Sequence, residues 1–351
     1  MRTIRELKYI VKIIVAYALF YTGILRILML VKLRRRAIVL IYHRVLSKQM
    51  RARTYSHSGI IVDLETFEKQ IRYLKIRFKV ITLEEFAEKI ENGIGFDQPT
   101  CLITFDDGWK DNYLHAYPIL KKYNMPAAIF LPANYIDSNK QFWQEKLTGM
   151  LIAMHHTGRE HSDSRQKYLD VLKKYNLQGI MSVPDQELRS YIAEEVSRKK
   201  KMTYKEIEQM ITDLSKNADP LGKDYDSGDS IMSWDEIRQM KKNGISFGSH
   251  GMNHKIFTKV LQAEVDYEIA ESKRVIEKSI NEGVSSISYP NGNYSDNIIE
   301  RVKSSGYRIA FGTEKGFVDV KDNPYALKRV NIHNDVTKNI PMFLSTILGV
   351  L

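Results

Sequence analysis

The chain has 351 residues, 43% hydrophobic and 27% charged, a globular balance that excludes disordered, collagen-like and multi-span membrane classes. Its single cysteine, Cys101, excludes an intramolecular disulfide framework and any cysteine-based zinc ribbon. Of the formal net charge of +11, residues 1–36 carry +8, nine bases against the one acid Glu6, so the body is near balance and nucleic acid is not an expected partner.

Within that basic segment, thirteen uncharged residues separate Lys12 from Arg26, and a second apolar run precedes Lys32 and Arg34, Arg35 and Arg36. Thirteen is short of the roughly 20 residues needed to cross a bilayer, and bases flank the run on both sides without a small-residue cleavage site. The expectation is an N-terminal apolar helix over 1–36 that lies on an anionic membrane surface, with a strained single crossing as the alternative.

From 37 onward the pattern alternates between strand and helix. Residues 37–43 (AIVLIYH) form a continuous apolar run, as expected of a parallel strand buried on both faces. Phe67, Ile71 and Leu74 mark a helical stripe, and Thr82 to Glu85 reads as a capping box opening a second helix. Strands follow at 100–105, 127–132, 245–249, 285–290 and 307–312, with helices at 111–123, 262–278 and 296–304. The rhythm predicts a parallel sheet wrapped by helices. It breaks over 138–228, a helical, Lys- and Glu-rich stretch read as an insertion on a barrel loop. The domain reading is therefore 1–36 (membrane-associating helix), 37–137 and 229–351 (two parts of one barrel) and 138–228 (helical insertion).

Three strand ends carry candidate chemistry. Asp106 and Asp107 close the run TCLITF, where two adjacent carboxylates are costly unless a cation binds them; one could ligate a metal while the other acts as a base. The alternative is a plain turn that caps the next helix. His250 and His254, four residues apart and flanked by Gly248 and Gly251, can face one ion, and two His with one carboxylate make a three-ligand set with an open fourth position. Ser288 to Tyr294 (SYPNGNY) turns sharply through Pro290 and Gly292, exposing backbone N–H groups for an oxyanion, with Tyr289 and Tyr294 as walls of a sugar site. Trp109, shortly after the Asp pair, is assigned with Tyr289 and Tyr294 to substrate binding. His43 ends the first strand and is read either as a site residue or as a structural histidine. His155, His156 and His161 lack a strand or flanking glycines and are read as surface residues, and Trp234 as the first residue of a helix capped by Ser233.

TFDDG, then HGMNH about 140 residues on, then SYPNG, in that order, resemble the polysaccharide deacetylase family, also called the NodB-homology family or family 4 carbohydrate esterases. The resemblance covers roughly residues 37–335 without the insertion. It implies an α/β fold, a distorted (β/α)7 barrel, and metal-dependent removal of N-acetyl groups from an N-acetylhexosamine in a polysaccharide or lipid-linked glycan. By that likeness Asp106 is the base, Asp107, His250 and His254 hold one divalent ion (zinc first, cobalt or nickel as alternatives), and the Asn291 N–H stabilises the oxyanion. The early Tyr42-His43 pair is similar to a permuted branch in which His43 supplies the catalytic acid, with His333 the alternative. Ser288 stands where the family usually carries an arginine that orients the base, so that tuning must come from elsewhere. The resemblance leaves open an O-acetyl esterase, another amidase or a silent glycan-binding protein. Together with the basic N-terminus it implies a membrane-associated enzyme of a bacterial cell envelope.

Overall fold

A computed structural model describes residues 2–160, 162–217 and 228–351. The chain divides into two compact units, one of Met1–Arg51, Ser58–Ser138 and Ile231–Leu351, the other of Ala52–His57 and Asn139–Ser230.

The first unit is built on parallel strands. These are β1 (Ala37–Tyr42), β2 (Arg44–Leu46), β3 (Ile61–Asp63), β4 (Lys79–Val80), β5 (Thr100–Phe105), β6 (Ala127–Leu131), β7 (Ile245–Ser249), β8 (Ser286–Ser288), β9 (Ile309–Phe311) and β10 (Val330–Asn331). The main sheet runs β10-β1-β5-β6-β7-β8-β9, with β4 on β5, and β2 pairs only with β3. Seven strands in this path, all parallel, form the partly closed barrel expected of the fold. Every residue of β1, β5 and β6 is buried, because helices cover one face and barrel side chains the other. The packed rings of Phe86, Phe96, Phe130 and Phe311 fill part of that core. Parallel pairing brings the C-terminal ends of β1, β5, β7 and β8 to one mouth, and the residues leaving those ends are His43, Asp106, His250 and Tyr289.

Local sequence explains most of the helices. Leu64–Arg77 buries Phe67, Ile71 and Leu74 as the stripe requires, and Asp296–Ser304 begins where Ser295 caps it. Trp234–Lys241 has the full capping box of Ser233 and Glu236. At Leu83–Glu91 only half the box forms: Thr82 accepts from the Glu85 N–H, while the Glu85 carboxylate turns to Lys79 at 2.6 Å. The strands β2, β3, β4 and β10 have no counterpart in the sequence reading, since two- and three-residue pairings leave no periodic pattern.

The N-terminal apolar segment is two helices, α1 (Arg2–Tyr21) and α2 (Ile24–Lys32). They part at Gly23, whose φ of 79° permits the break. No single described helix is long and apolar enough to cross a membrane; the pair would pass only together, bent by 82°.

The second unit is helical with its own core, including Leu147, Met154, Tyr168, Leu172, Ile192 and Leu214. It draws in Ala52–His57, absent from the sequence reading, through Asp229, which accepts from Thr54 Oγ1 at 2.5 Å and the Tyr55 N–H at 2.9 Å. His155, expected at the surface, is instead fully buried, its ring nitrogens 2.9 Å from the Ile180 carbonyl and 3.0 Å from Asp185. A histidine satisfied on both nitrogens can be buried without cost in unpaired polar groups. His156 is exposed, and His161 lies outside the described residues.

Candidate active site

Asp107 follows β5 with φ 76°, and Gly108 follows it with φ 66°. A non-glycine residue in the left-handed region costs about 1–3 kcal/mol where packing enforces it. Here that turn throws both carboxylates into the mouth, and a Cβ at position 108 would sit 3.1 Å from Leu131.

Asp107 Oδ1 is buried and has no hydrogen-bond partner. It lies 3.5 Å from His250 Nε2 and 3.2 Å from His254 Nε2, and the three donor atoms fall within 4.8 Å of one another. His250 Nδ1 donates to the Ser288 carbonyl at 2.7 Å, which leaves Nε2 as the inward-facing atom. An orphaned carboxylate oxygen facing two imidazole nitrogens is the arrangement a divalent cation satisfies. The other oxygen, Oδ2, accepts from Trp109 Nε1 at 3.1 Å. Burial alone would raise the Asp107 pKa, but the facing His254 and His250 hold it well below the usual carboxylate range.

Asp106 is held by different partners. Arg329 donates to both of its oxygens, 2.8 Å each, and Ser288 Oγ donates to Oδ2 at 3.0 Å. Arg329 also donates to Ser288 Oγ at 2.7 Å and to the Gly312 carbonyl at 2.8 Å. Burial pushes the Asp106 pKa up, and Arg329 with His250 more than offsets this, so the carboxyl sits below its ordinary value. Arg329 therefore occupies, from just before β10, the place the sequence reading found empty when Ser288 stood where an arginine was expected. No local pattern marks Arg329 in the sequence, because its partner Asp106 lies 223 residues away. A fully buried arginine next to an apolar strand is a signal that becomes visible only once the strand pairs.

The loop 250–254 has its own clamp, also missed. Buried Glu268, on the helix Gln262–Ile280, accepts from the Met252 and Asn253 N–H groups at 2.8 Å each and from Asn253 Nδ2 at 2.7 Å. Gly251 has φ 77°, and a Cβ there would meet Glu268 Oε2 at 2.9 Å, so glycine is needed for this approach.

The remaining expected residues fall into two groups. His43 is half-buried beside the set; burial lowers its pKa, partly opposed by Asp107 and Asp106, and its Nδ1 has no hydrogen-bond partner. Asn291 takes φ 58° in the turn Pro290–Gly292 directly after Ser288 and Tyr289. His333 stands instead at the start of the helix Asn334–Thr337, its Nδ1 3.7 Å from Asp335. The substrate-wall expectation needs correction for two aromatic rings. Trp109 is 1% exposed, covered by the Arg44 guanidinium 4.2 Å above it, and its N–H is spent on Asp107. Tyr289 is fully buried, with its hydroxyl donating to the Tyr325 carbonyl at 2.9 Å. Tyr294, half-buried with its ring 5.0 Å from that of Tyr289, keeps an accessible edge.

The family model for polysaccharide deacetylases matches residues 94–164 and 157–310. The chain belongs to the polysaccharide deacetylase family. A poly-β-1,6-N-acetyl-D-glucosamine N-deacetylase of Staphylococcus epidermidis is 30% identical over 239 residues, 61% of this chain and 72% of that protein. The enzyme of the same name from Staphylococcus aureus is 23% identical over 317 residues, 87% of this chain and 81% of its own. Among solved structures, the Streptococcus pyogenes deacetylase PplD in complex with acetate superposes with a TM-score of 0.56 at 18% identity, covering 89% of this chain and 98% of that one. IcaB from Ammonifex degensii gives 0.54 at 17% identity, covering 88% and 97%. These structures share the deacetylase barrel. The site of this polysaccharide deacetylase therefore joins a three-donor cluster, an arginine-clamped carboxylate and a half-buried histidine at one end of that barrel.

Proposed function

We propose that this chain removes N-acetyl groups from N-acetylhexosamine units of a glycan, using one divalent ion, with zinc the best fit to the donor set. The observation that carries the reading is Asp107 Oδ1, buried without a partner and facing the Nε2 atoms of His250 and His254, with Asp106 held beside them. Two nitrogens and one oxygen would hold a divalent cation and leave it able to bind water or the substrate carbonyl as well.

Asp107, His250 and His254 would hold the ion, which supplies a Lewis acid for the acetyl carbonyl and makes water a better nucleophile near neutral pH. Asp106, kept ionised by Arg329, takes the proton as water attacks the carbonyl carbon. The Asn291 N–H steadies the oxyanion. His43 gives a proton to the amine as the C–N bond breaks, releasing acetate and the free amino sugar. Its position beside Asp106 and Asp107 favours it over His333, whose nearest carboxylate is Asp335. Tyr294 is the aromatic residue left to contact sugar. Attachment to a membrane surface through residues 1–36, a location at a bacterial cell envelope, and a polymer or lipid-linked glycan as substrate belong to the same reading.

Acetate release from N-acetylhexosamine oligomers and their lipid-linked counterparts, with chelator, with added zinc or cobalt, and with His250→Ala as control, tests it. Release restored by metal and lost in the variant is expected. No release from any N-acetyl substrate by the metal-loaded protein overturns it, and release from O-acetyl sugars alone makes it an esterase.

A further inference from the structure

The helices α1 and α2 carry most of the apolar side chains that the first unit leaves in solvent. Leu7, Ile10 and Ile14 on α1, and Ile27, Leu30 and Val31 on α2, are each 51–66% exposed. Positions 7, 10 and 14 share one helical face, as do 27, 30 and 31. On α2 the opposite face is committed to the protein, since Leu25 and Met29 are buried, and α1 is anchored at buried Ala16. A helix with one face packed against its own domain cannot also be surrounded by lipid. The longest uncharged run of residues 1–36, thirteen residues, would span only about 20 Å even as one unbroken helix, against about 30 Å of hydrocarbon. The geometry is that of helices lying in an interface, bent by 82° where they meet.

Charge selects the occupant of this face. Nine bases and one acid lie in residues 1–36, and Lys8, Lys12, Arg26, Arg34, Arg35 and Arg36 are exposed around the apolar stripe. A second copy of the chain would bring two such basic surfaces together, whereas an anionic bilayer takes both the apolar face and its basic rim.

The attachment point sets where the mouth lies. Lys32 Nζ donates to the Leu348 carbonyl at 2.8 Å, Leu33 is buried, Arg35 pairs with Phe96 just before β5, and β1 begins at Ala37. The α2 end of the platform is thus tied to the N-terminal ends of β1 and β5, while α1 meets the protein through Phe20, whose ring lies 6.5 Å from that of Tyr73. The candidate catalytic groups leave the opposite ends of those strands, about 20 Å away at roughly 3.3 Å per residue.

We propose that α1 and α2 form an in-plane platform on anionic lipid, fixed to the N-terminal end of the barrel sheet, so that the catalytic mouth stands off the bilayer and takes glycan segments extended from the membrane rather than the sugar beside a lipid headgroup. The substrate half of this inference rests on the N-deacetylase reading; the platform half does not.

Because Cys101 is fully buried, a cysteine introduced in the full chain can be labelled alone. An environment-sensitive fluorophore at Ile27→Cys reports the platform, and one at Asp296→Cys, on the helix that follows β8, reports the mouth end. With phosphatidylcholine vesicles containing phosphatidylglycerol, the Ile27 label blue-shifts and escapes iodide quenching while the Asp296 label stays quenchable; with phosphatidylcholine alone both responses weaken. Ile27→Glu with Leu30→Glu weakens vesicle co-sedimentation by about tenfold or more while acetate release from soluble oligomers is kept. Equal protection of both labels overturns the orientation. No response to either vesicle, or a lipid-free dimer that shields the Ile27 label, overturns the platform. Neither result depends on acetate release, so failure of the N-deacetylase reading is seen separately.

Discussion

Arg329 and Asp106 meet through two parallel hydrogen bonds of 2.8 Å, although 223 residues separate them in the chain. The pair is buried, and Ser288 closes it by donating to Asp106 and accepting from Arg329. Such a fork fixes the carboxylate plane as well as its charge. In a site where one of two adjacent carboxylates must stay a free base while the other ligates, that orientation separates the two roles.

Replacing Arg329 by Lys keeps a charge but loses the fork. Losing one charge-assisted bond, at about 1.5–3 kcal/mol, lowers kcat roughly 10- to 100-fold. The pH profile distinguishes this from a folding defect. Burial raises the Asp106 pKa and Arg329 lowers it, so weakening the arginine's effect moves the pKa up, and the acid limb of kcat/KM shifts to higher pH. Metal affinity, set by other residues, stays as it was.

Asp106→Asn is expected to bind metal normally and lose activity by about 10²–10⁴-fold, the range of general-base catalysis. His250→Ala loses both metal and activity. Metal stoichiometry read beside acetate release separates the two, and normal turnover in Asp106→Asn would remove Asp106 from the mechanism.

Glu268 touches no candidate ligand side chain, yet it fixes the backbone between two of them. Glu268→Gln retains shape but exchanges an ionic acceptor for a neutral one at the Met252 and Asn253 N–H groups. Support of this kind is commonly worth about 10- to 100-fold in metal affinity. Competition with a chromophoric chelator measures it, and unchanged affinity would make the clamp purely structural.

Trp109→Phe keeps the ring under Arg44 and deletes the N–H given to Asp107. Metal affinity falls by about 10-fold, the lower end of such effects, while KM for the glycan holds. A rise in KM without loss of metal affinity would return Trp109 to the substrate wall.

Chelation should destabilise the fold along with activity. Metal at 100 times its dissociation constant adds about 2.7 kcal/mol to the bound state, which for a chain of this size corresponds to a Tm shift of roughly 4–5 °C. Scanning calorimetry with chelator, and with zinc restored, reads the shift; equal Tm values would mean that the three donors hold no ion.

Much of the barrel was legible because its main strands are continuous apolar runs. TCLITF is strand from Thr100 to Phe105, and ISFGS from Ile245 to Ser249. The donor cluster was legible because Asp107 lies just after one such run and His250 directly after another, with His254 one short loop on. The aromatic assignments failed at Trp109 and Tyr289 because a ring beside a site has the same local pattern whether it lines the cavity or supports its floor. The N-terminal segment was legible in composition, but its break at Gly23 was not, since a lone glycine costs a helix only about 1 kcal/mol and does not by itself end it.

Hydrophobic period and donor spacing are local properties, and they suffice to set the alternation of strand and helix, the ends at which chemistry gathers and the residues able to bind a cation. Which partners those residues keep depends on how distant elements pack. Leu40 pairs with both Ile103 and Val330, and that register of β1 between β5 and β10 carries Arg329 to Asp106. Glu268 reaches the histidine loop through the packing of its helix beside β7 in the same way. Sheet order and helix packing are set by burial summed over the whole unit, and no short stretch of the chain records that sum.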